Sequence, residues 1–190
     1  MLRSDPHIVV ESSGFQTVKN YSFYRKGAQP PRLYQHILSS AKVSIDIWDP
    51  YFTEEAAHVF DNVRQDHIKI NILTKLNKKA VQTNADVDAF VNKIKNILED
   101  NGVTPEIKVY CITKNSFERI WHDRYLVIDD TDAYLIGTSI DEQIKPIKDF
   151  GIYHISDNDE IHFIKQCMQY CKSKCVTRGY PYDINCYARH

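Results

Sequence analysis

Apolar residues recur along this chain at two different spacings. Val43, Ile45 and Ile47 alternate with polar residues, as do Ile68, Ile70 and Ile72, and then Ile107, Val109 and Cys111. A period of two puts all the apolar side chains of such a run on one face of a strand. Between these runs the spacing changes to three and four. Leu33, Ile37, Leu38 and Ala41 mark a short helix, and Thr53 is placed to cap a second one with Ala56, Val59, Phe60 and Val63 on its buried face. Val87, Phe90, Val91, Ile94, Ile97 and Leu98 form a third helical stripe, ended by Asn101-Gly102. Residues 122–129 and 133–137 read as strands separated by the turn-forming Asp130-Thr131-Asp132, a link so short that the two must form an antiparallel hairpin. Phe150 to Ile155 is a sixth strand.

Strands alternating with helices of this length predict an α/β fold, a mixed β-sheet flanked by helices on both faces. Three zones follow along the chain. Residues 1–30 are an aromatic-rich N-terminal strand or arm closed by Gly27 and the Pro30-Pro31 break. Residues 31–155 hold the alternating core, and residues 156–190 hold one helix and an irregular tail. A chain of 190 residues is enough for one well-buried domain and too short for two full α/β domains, so the zones are expected to share one structure. No internal repeat is present. An enzyme with two copies of a site would show one, so any second half-site must come from another chain.

Charge narrows the picture. The net charge of −1 offers no global attraction to nucleic acid or acidic lipid, so a phosphate ligand would need a local basic patch. Arg25, Lys26 and Arg32, then Lys75, Lys78 and Lys79, then Lys114, Arg119 and Arg124 are the candidates. No run approaches the roughly 18 apolar residues of a spanning helix. The start, Met1 to Pro6, lacks the apolar centre of a signal peptide, so a cytoplasmic protein without membrane insertion is expected. Five cysteines are an odd number, which argues against a disulfide framework. Cys111 is expected to be a buried thiol. Cys167, Cys171 and Cys175 recur at helical spacing, and with Cys186 and His190 they can be drawn as a zinc site. The spacing fits no usual knuckle, so packing on a helix face is expected and no metal.

The chemistry is concentrated at residues 122–129. Alternation puts His122 and Arg124 on one face, roughly 6–7 Å apart, and Asp123, Tyr125, Val127 and Asp129 on the other. A guanidinium fork can hold two phosphate oxygens while an imidazole attacks phosphorus or moves a proton. Gly137-Thr138-Ser139 ends the adjacent hairpin strand and can bring a glycine backbone and two hydroxyls to the same mouth. Trp121, just before His122, either packs or stacks on a base, and Trp48 and Tyr51 carry the same two readings. His36, His58 and His67 show no ligand spacing and read as surface or packing histidines. His154 and His162 flank the last strand and helix, with nothing local to tie them to a site.

The order of these residues resembles the HxKxxxxD signature of the phospholipase D superfamily and its following Gly-Ser-x-Asn element. Asp46 to Phe52 and Ile70 to Thr74 are similar to the early strands of stand-alone domains of that kind, and the resemblance spans roughly residues 31–155. Arg124 stands where the signature has lysine. The second element is Gly137-Thr138-Ser139-Ile140-Asp141, with one extra residue before the glycine and an aspartate near the asparagine position. The resemblance implies that His122 attacks phosphorus and forms a phosphohistidine, that Arg124 neutralises the non-bridging oxygens, and that His122 of a second copy protonates the leaving oxygen, without cofactor or metal. Asp129 completes the signature, but alternation turns it away from His122, so it is expected to hold the strand end or turn. Asp149, then Glu142, are the candidates to orient His122, and Thr138 or Ser139 to contact substrate.

Three functions stay open on these grounds. The first is a homodimeric nuclease acting on DNA or RNA, by analogy a defence or toxin effector. The second is a phospholipid hydrolase. The third is a non-catalytic module that binds a lipid head group or nucleic acid through the same pocket.

Overall fold

In the computed structural model, which describes residues 8–10, 15–18, 21–24, 30–74, 84–111, 123–140, 150–173 and 175–180, the alternating runs are strands and the three-four runs helices. In chain order these are β1 (Ile8–Val10), β2 (Phe15–Val18), β3 (Tyr21–Tyr24), α1 (Pro30–Ser39), β4 (Ser44–Trp48), the 3-10 helix η1 (Glu55–Phe60) and β5 (Lys69–Thr74). There follow α2 (Asn84–Asp100), β6 (Glu106–Cys111), β7 (Arg124–Ile128), β8 (Asp132–Ile136), β9 (Phe150–Ile155), α3 (Asn158–Lys172) and β10 (Val176–Tyr180). The described strands form one sheet in the order β1-β2-β3-β9-β8-β7-β4-β5-β6-β10. The β4-β5-β6 segment is parallel and every other pair antiparallel. The α/β class with a mixed sheet is as the periodicities predict.

The two faces of the sheet bury different helices. Ile45, Ile47, Ile70, Ile72, Leu126 and Ile128 pack in one core with residues of α1, η1 and α2. Their neighbours in sequence, Trp48, Leu73 and Val127, point the other way and pack with Ile161, Ile164, Met168 and Cys171 of α3. Trp48 is fully buried there, edge-on to Tyr125, so of its two readings packing is the one realised. Strands whose successive side chains are all buried can only lie between two helical layers. No described helix is long and apolar enough to cross a membrane.

Local chemistry accounts for several helix ends. Pro30 and Pro31 open α1, where a missing N–H costs nothing. Gly102, at φ +77°, ends α2 in a Schellman arrangement: its N–H reaches Glu99 O at 2.9 Å, and Val103 N–H reaches Leu98 O at 2.9 Å. Asp157 caps α3 by accepting from the N–H groups of Asp159 and Glu160, both at 3.0 Å.

Three elements differ from the periodicity. The segment after Thr53 winds as a 3-10 helix with Ala57 buried as well, and the Thr53 hydroxyl takes the Glu55 N–H at 3.3 Å. Val43 is 60% exposed because β4 begins one residue later. The tail after α3 contains β10, antiparallel to β6, a strand that a five-residue run with a glycine does not announce. Cys171 is buried against the sheet, and Cys111, Cys167 and Cys175 are half-buried. Burial pushes the Cys175 thiol up to about 12, which leaves it inert at neutral pH. Cys186 and His190, the other half of the zinc reading, lie outside the described residues.

Candidate active site

Strand register brings three distant segments to one end of the sheet. Trp48 pairs with Tyr125 and Arg124 with Ile136, so Asp49 just past β4, Arg124 at the start of β7 and Gly137 just past β8 are neighbours across the sheet. This is the C-terminal end of the parallel strands, where open α/β sheets leave a crevice for ligands. The Gly137 N–H reaches Gly151 O at 2.8 Å, which draws the start of β9 to the same end.

Asp49 is at the centre of this end. It is fully buried, and both of its oxygens are occupied. Oδ1 accepts from Tyr51 N–H at 2.9 Å. Oδ2 accepts from the Ser139 hydroxyl at 3.0 Å and from Ile140 N–H at 2.7 Å. Arg124 Nε lies 3.5 Å from Oδ1, an ion-pair distance. Burial pushes the Asp49 carboxyl above the usual carboxylate range, against the pull of the Ile140 and Tyr51 N–H groups, the Ser139 hydroxyl and Arg124.

The Arg124 side chain is 20% exposed, with its guanidinium carbon 5.3 Å from the centre of the Tyr51 ring. Tyr51 itself is 47% exposed and forms the rim. A guanidinium held between a buried carboxylate and an aromatic face is restricted before any ligand arrives, which suits recognition of a phosphodiester oxygen. Thr138 is half-buried beside this arrangement.

The residues read from sequence fall into two groups. Arg124, Thr138 and Ser139 share this end of the sheet, with Ser139 turned onto Asp49. Asp129 is at the other end of β7, roughly 16 Å along the strand. Its carboxylate accepts from the N–H groups of Lys42, Val43 and Ser44 at 2.7–3.1 Å and ties the hairpin to the start of β4. Burial raises its pKa, but these three N–H contacts outweigh that and hold it below the ordinary value. Trp121, His122, Asp141, Glu142 and Asp149 lie outside the described residues, as do Arg25, Lys26, Lys75, Lys78, Lys79, Lys114 and Arg119. Asp49 is the residue that sequence reasoning missed. Its signal was an acid between a buried strand and Pro50, on the side of the strand that carries Ile45 and Ile47.

A second concavity of about 350 Å³ opens on the α3 face. Two of its lysines are already neutralised, Lys172 by Asp46 and Lys165 by Asp130, and it lies on the sheet face away from Arg124. His154 is likewise engaged at the hairpin end, 3.0 Å from Asp132 and stacked on Tyr134.

Gly137 is required by close approach. A Cβ there would meet Gly151 O at 3.0 Å and Gly151 N at 3.3 Å, both backbone atoms that cannot swing aside. Gly137→Ala should therefore destabilise the chain by about 1–2 kcal/mol. Urea unfolding would register this as a lower midpoint at unchanged slope, and an unchanged midpoint would contradict the packing.

The sequence matches no protein-family model and no curated protein. Its fold matches solved structures over most of the chain. NucT from Helicobacter pylori superposes with a TM-score of 0.56 at 16% identity, over 82% of this chain and 96% of that one. Nuc from Salmonella typhimurium, a phospholipase D family member, gives 0.53 at 16%, over 84% and 95%. The phosphatidylserine synthase of Haemophilus influenzae Rd KW20 gives 0.51 at 12%, over 90% of this chain but 44% of that longer one.

Proposed function

From a chain that has the fold of the phospholipase D superfamily, we propose a phosphodiesterase, a homodimeric nuclease that works without metal through a phosphohistidine. The observation that carries the reading is Arg124, fixed by Asp49 and Tyr51 at the C-terminal end of the parallel strands, two residues after His122 in sequence.

In the proposed reaction the imidazole of His122 attacks phosphorus and a P–N bond forms as the P–O bond to the leaving group breaks. His122 of a second copy gives its proton to the departing oxygen, then takes one from the water that hydrolyses the P–N bond. Arg124 faces the non-bridging oxygens as negative charge accumulates on them. Thr138 and Ser139 are the hydroxyls assigned to substrate contact, and Ser139 also donates to Asp49. Trp121 flanks His122, and Asp149, which directly precedes β9, orients it. Nucleic acid is favoured over lipid by the half-exposed Tyr51 ring beside the guanidinium, where a base can stack next to its own phosphate. A cytoplasmic defence role is consistent with this chemistry.

The test is incubation of purified protein with supercoiled plasmid, with RNA and with phosphatidylcholine vesicles, all in excess EDTA. Nicking or RNA cleavage that persists in EDTA is the expected result. Turnover of phosphatidylcholine alone would assign a phospholipid hydrolase instead. Binding without turnover in any arm would leave the non-catalytic module and end the enzymatic reading.

A further inference from the structure

Asp49 belongs to none of the signature elements, yet it is the most heavily contacted polar side chain at this end of the sheet. A fully buried acid at a strand end is costly unless its surroundings need it. The contacts come from three parts of the chain: its own turn through Tyr51, the segment after β8 through Ser139 and Ile140, and β7 through Arg124. The hydrophobic packing of the strand is supplied by Ile45 and Ile47 and does not call for a carboxylate at this position.

The geometry of the Arg124 contact is informative. Asp49 is approached by Nε, the inner nitrogen, and this atom is buried without a hydrogen bond among the described residues. Among the described residues the Arg124 ion pair is made through Nε and not through either Nη. A long side chain held at its inner nitrogen and flanked by Tyr51 loses the rotamers that would otherwise be lost on binding.

We propose that Asp49 is a positioning residue that sets the Arg124 fork and the Gly137–Ile140 segment in one arrangement for the transferring phosphoryl group. The inference rests on the phosphodiesterase reading for its chemistry, but its structural half is independent of turnover. It distinguishes positioning from simple support of the fold. Loss of positioning lowers kcat while the affinity for phosphate is kept, because the guanidinium remains and a negative charge has gone. Loss of the fold lowers both.

Asp49→Asn, nearly isosteric, is the variant to compare with the parent chain by two measurements. The first is the Arg124 side-chain Nε–H resonance in ¹H–¹⁵N spectra, identified by its disappearance in Arg124→Lys. In the parent it should exchange slowly with solvent and shift on addition of inorganic phosphate, and in Asp49→Asn it should exchange at least about tenfold faster. The second is kinetics with bis(4-nitrophenyl) phosphate, where kcat should fall about 100-fold and the inhibition constant of inorganic phosphate should not weaken. Should Asp49→Asn fail to fold, Ser139→Ala removes one of the hydrogen bonds that fix the Asp49 carboxylate against Arg124 and so loosens the ion pair. It is expected to show the same split at smaller amplitude, and its unchanged kcat and exchange would overturn the proposal. Unchanged Nε–H exchange and kcat in Asp49→Asn overturn the role of Asp49 and leave the phosphodiesterase standing. Accelerated exchange in a chain that never turns over substrate supports the role of Asp49 and removes the phosphodiesterase. A joint fall of kcat and phosphate affinity marks Asp49 as a fold residue only.

Discussion

Alanine at His122 is expected to remove phosphodiester cleavage, with a loss on the order of 10⁴–10⁶-fold, the range seen when a covalent nucleophile is deleted. The reason is that none of the described polar groups near this end of the sheet offers a comparable nucleophile. The guanidinium of Arg124 is a donor with its lone pairs delocalised and so is no nucleophile. Ser139 is buried and engaged with Asp49, and Asp129 is spent on the backbone of residues 42–44. The measurement is the rate of plasmid nicking in EDTA, with circular dichroism to show an intact fold. A chain incubated with ³²P-labelled substrate should also carry acid-labile, alkali-stable label, absent from His122→Ala. A variant that nicks within tenfold of the parent rate would sink the mechanism. Arg124→Ala should retain more than His122→Ala, with a loss of about 10²–10³-fold, because it removes charge stabilisation and not the bond-forming atom.

The second large effect is on stability and is centred on Asp129. Asp129 and Asp130 both have positive φ, 50° and 62°, and Thr131 N–H returns to Ile128 O at 3.0 Å, the arrangement of a type I′ hairpin turn. Alanine at Asp129 would suffer the left-handed conformation, about 1 kcal/mol, and would release three backbone N–H groups from a charged acceptor, about 1.5–3 kcal/mol. A total of about 2–4 kcal/mol is expected, which for a chain of this size lowers Tm by roughly 5–15 °C. Asp129→Asn tolerates the turn and should lose less. The sign of the pH dependence follows from the folded carboxyl, held below its ordinary 3.8 by the N–H groups of Ser44, Val43 and Lys42 that outweigh its burial. Its stabilisation is present above that ordinary value and is lost as pH falls through the lower folded value. The gap between parent and Asp129→Ala in denaturant midpoint should therefore hold from neutral pH down to the ordinary carboxyl value and narrow as pH falls below it. A gap that stays constant with pH would show that strain, and not the carboxylate, carries the effect.

Asp129 also shows how a motif can mislead about place. As the last residue of a catalytic signature it reads as a member of the site, whereas strand alternation turns it away from His122. The structure adds the distance, since the length of β7 separates it from Arg124. The hydrophobic stripe of α2 and its Asn101-Gly102 stop were legible because both are local: a 3.6 period and a single positive φ are encoded within a few residues. So was the hairpin after β7, whose short link allows only one topology. The 3-10 winding of η1 was not legible, because Ala56, Val59 and Phe60 satisfy an α-helical and a 3-10 pattern alike. β10 was not legible because its partner β6 is some 65 residues earlier in the chain and pairing, not composition, makes it a strand.

What the sequence determined by itself was the α/β class, the strand that begins at Arg124, and the turn that ends it. These follow from side-chain period and turn chemistry, which act over two to seven residues. What only the tertiary structure decided was that an aspartate after β4 faces Arg124 and Ser139. Asp49 and Ser139 are 90 residues apart, and no local rule links them. Their meeting depends on β4 lying beside β7, and β7 beside β8, in a particular register. Such contacts are selected by how the whole sheet buries its two faces, so the acid that holds the arginine became visible only once the sheet had been assembled.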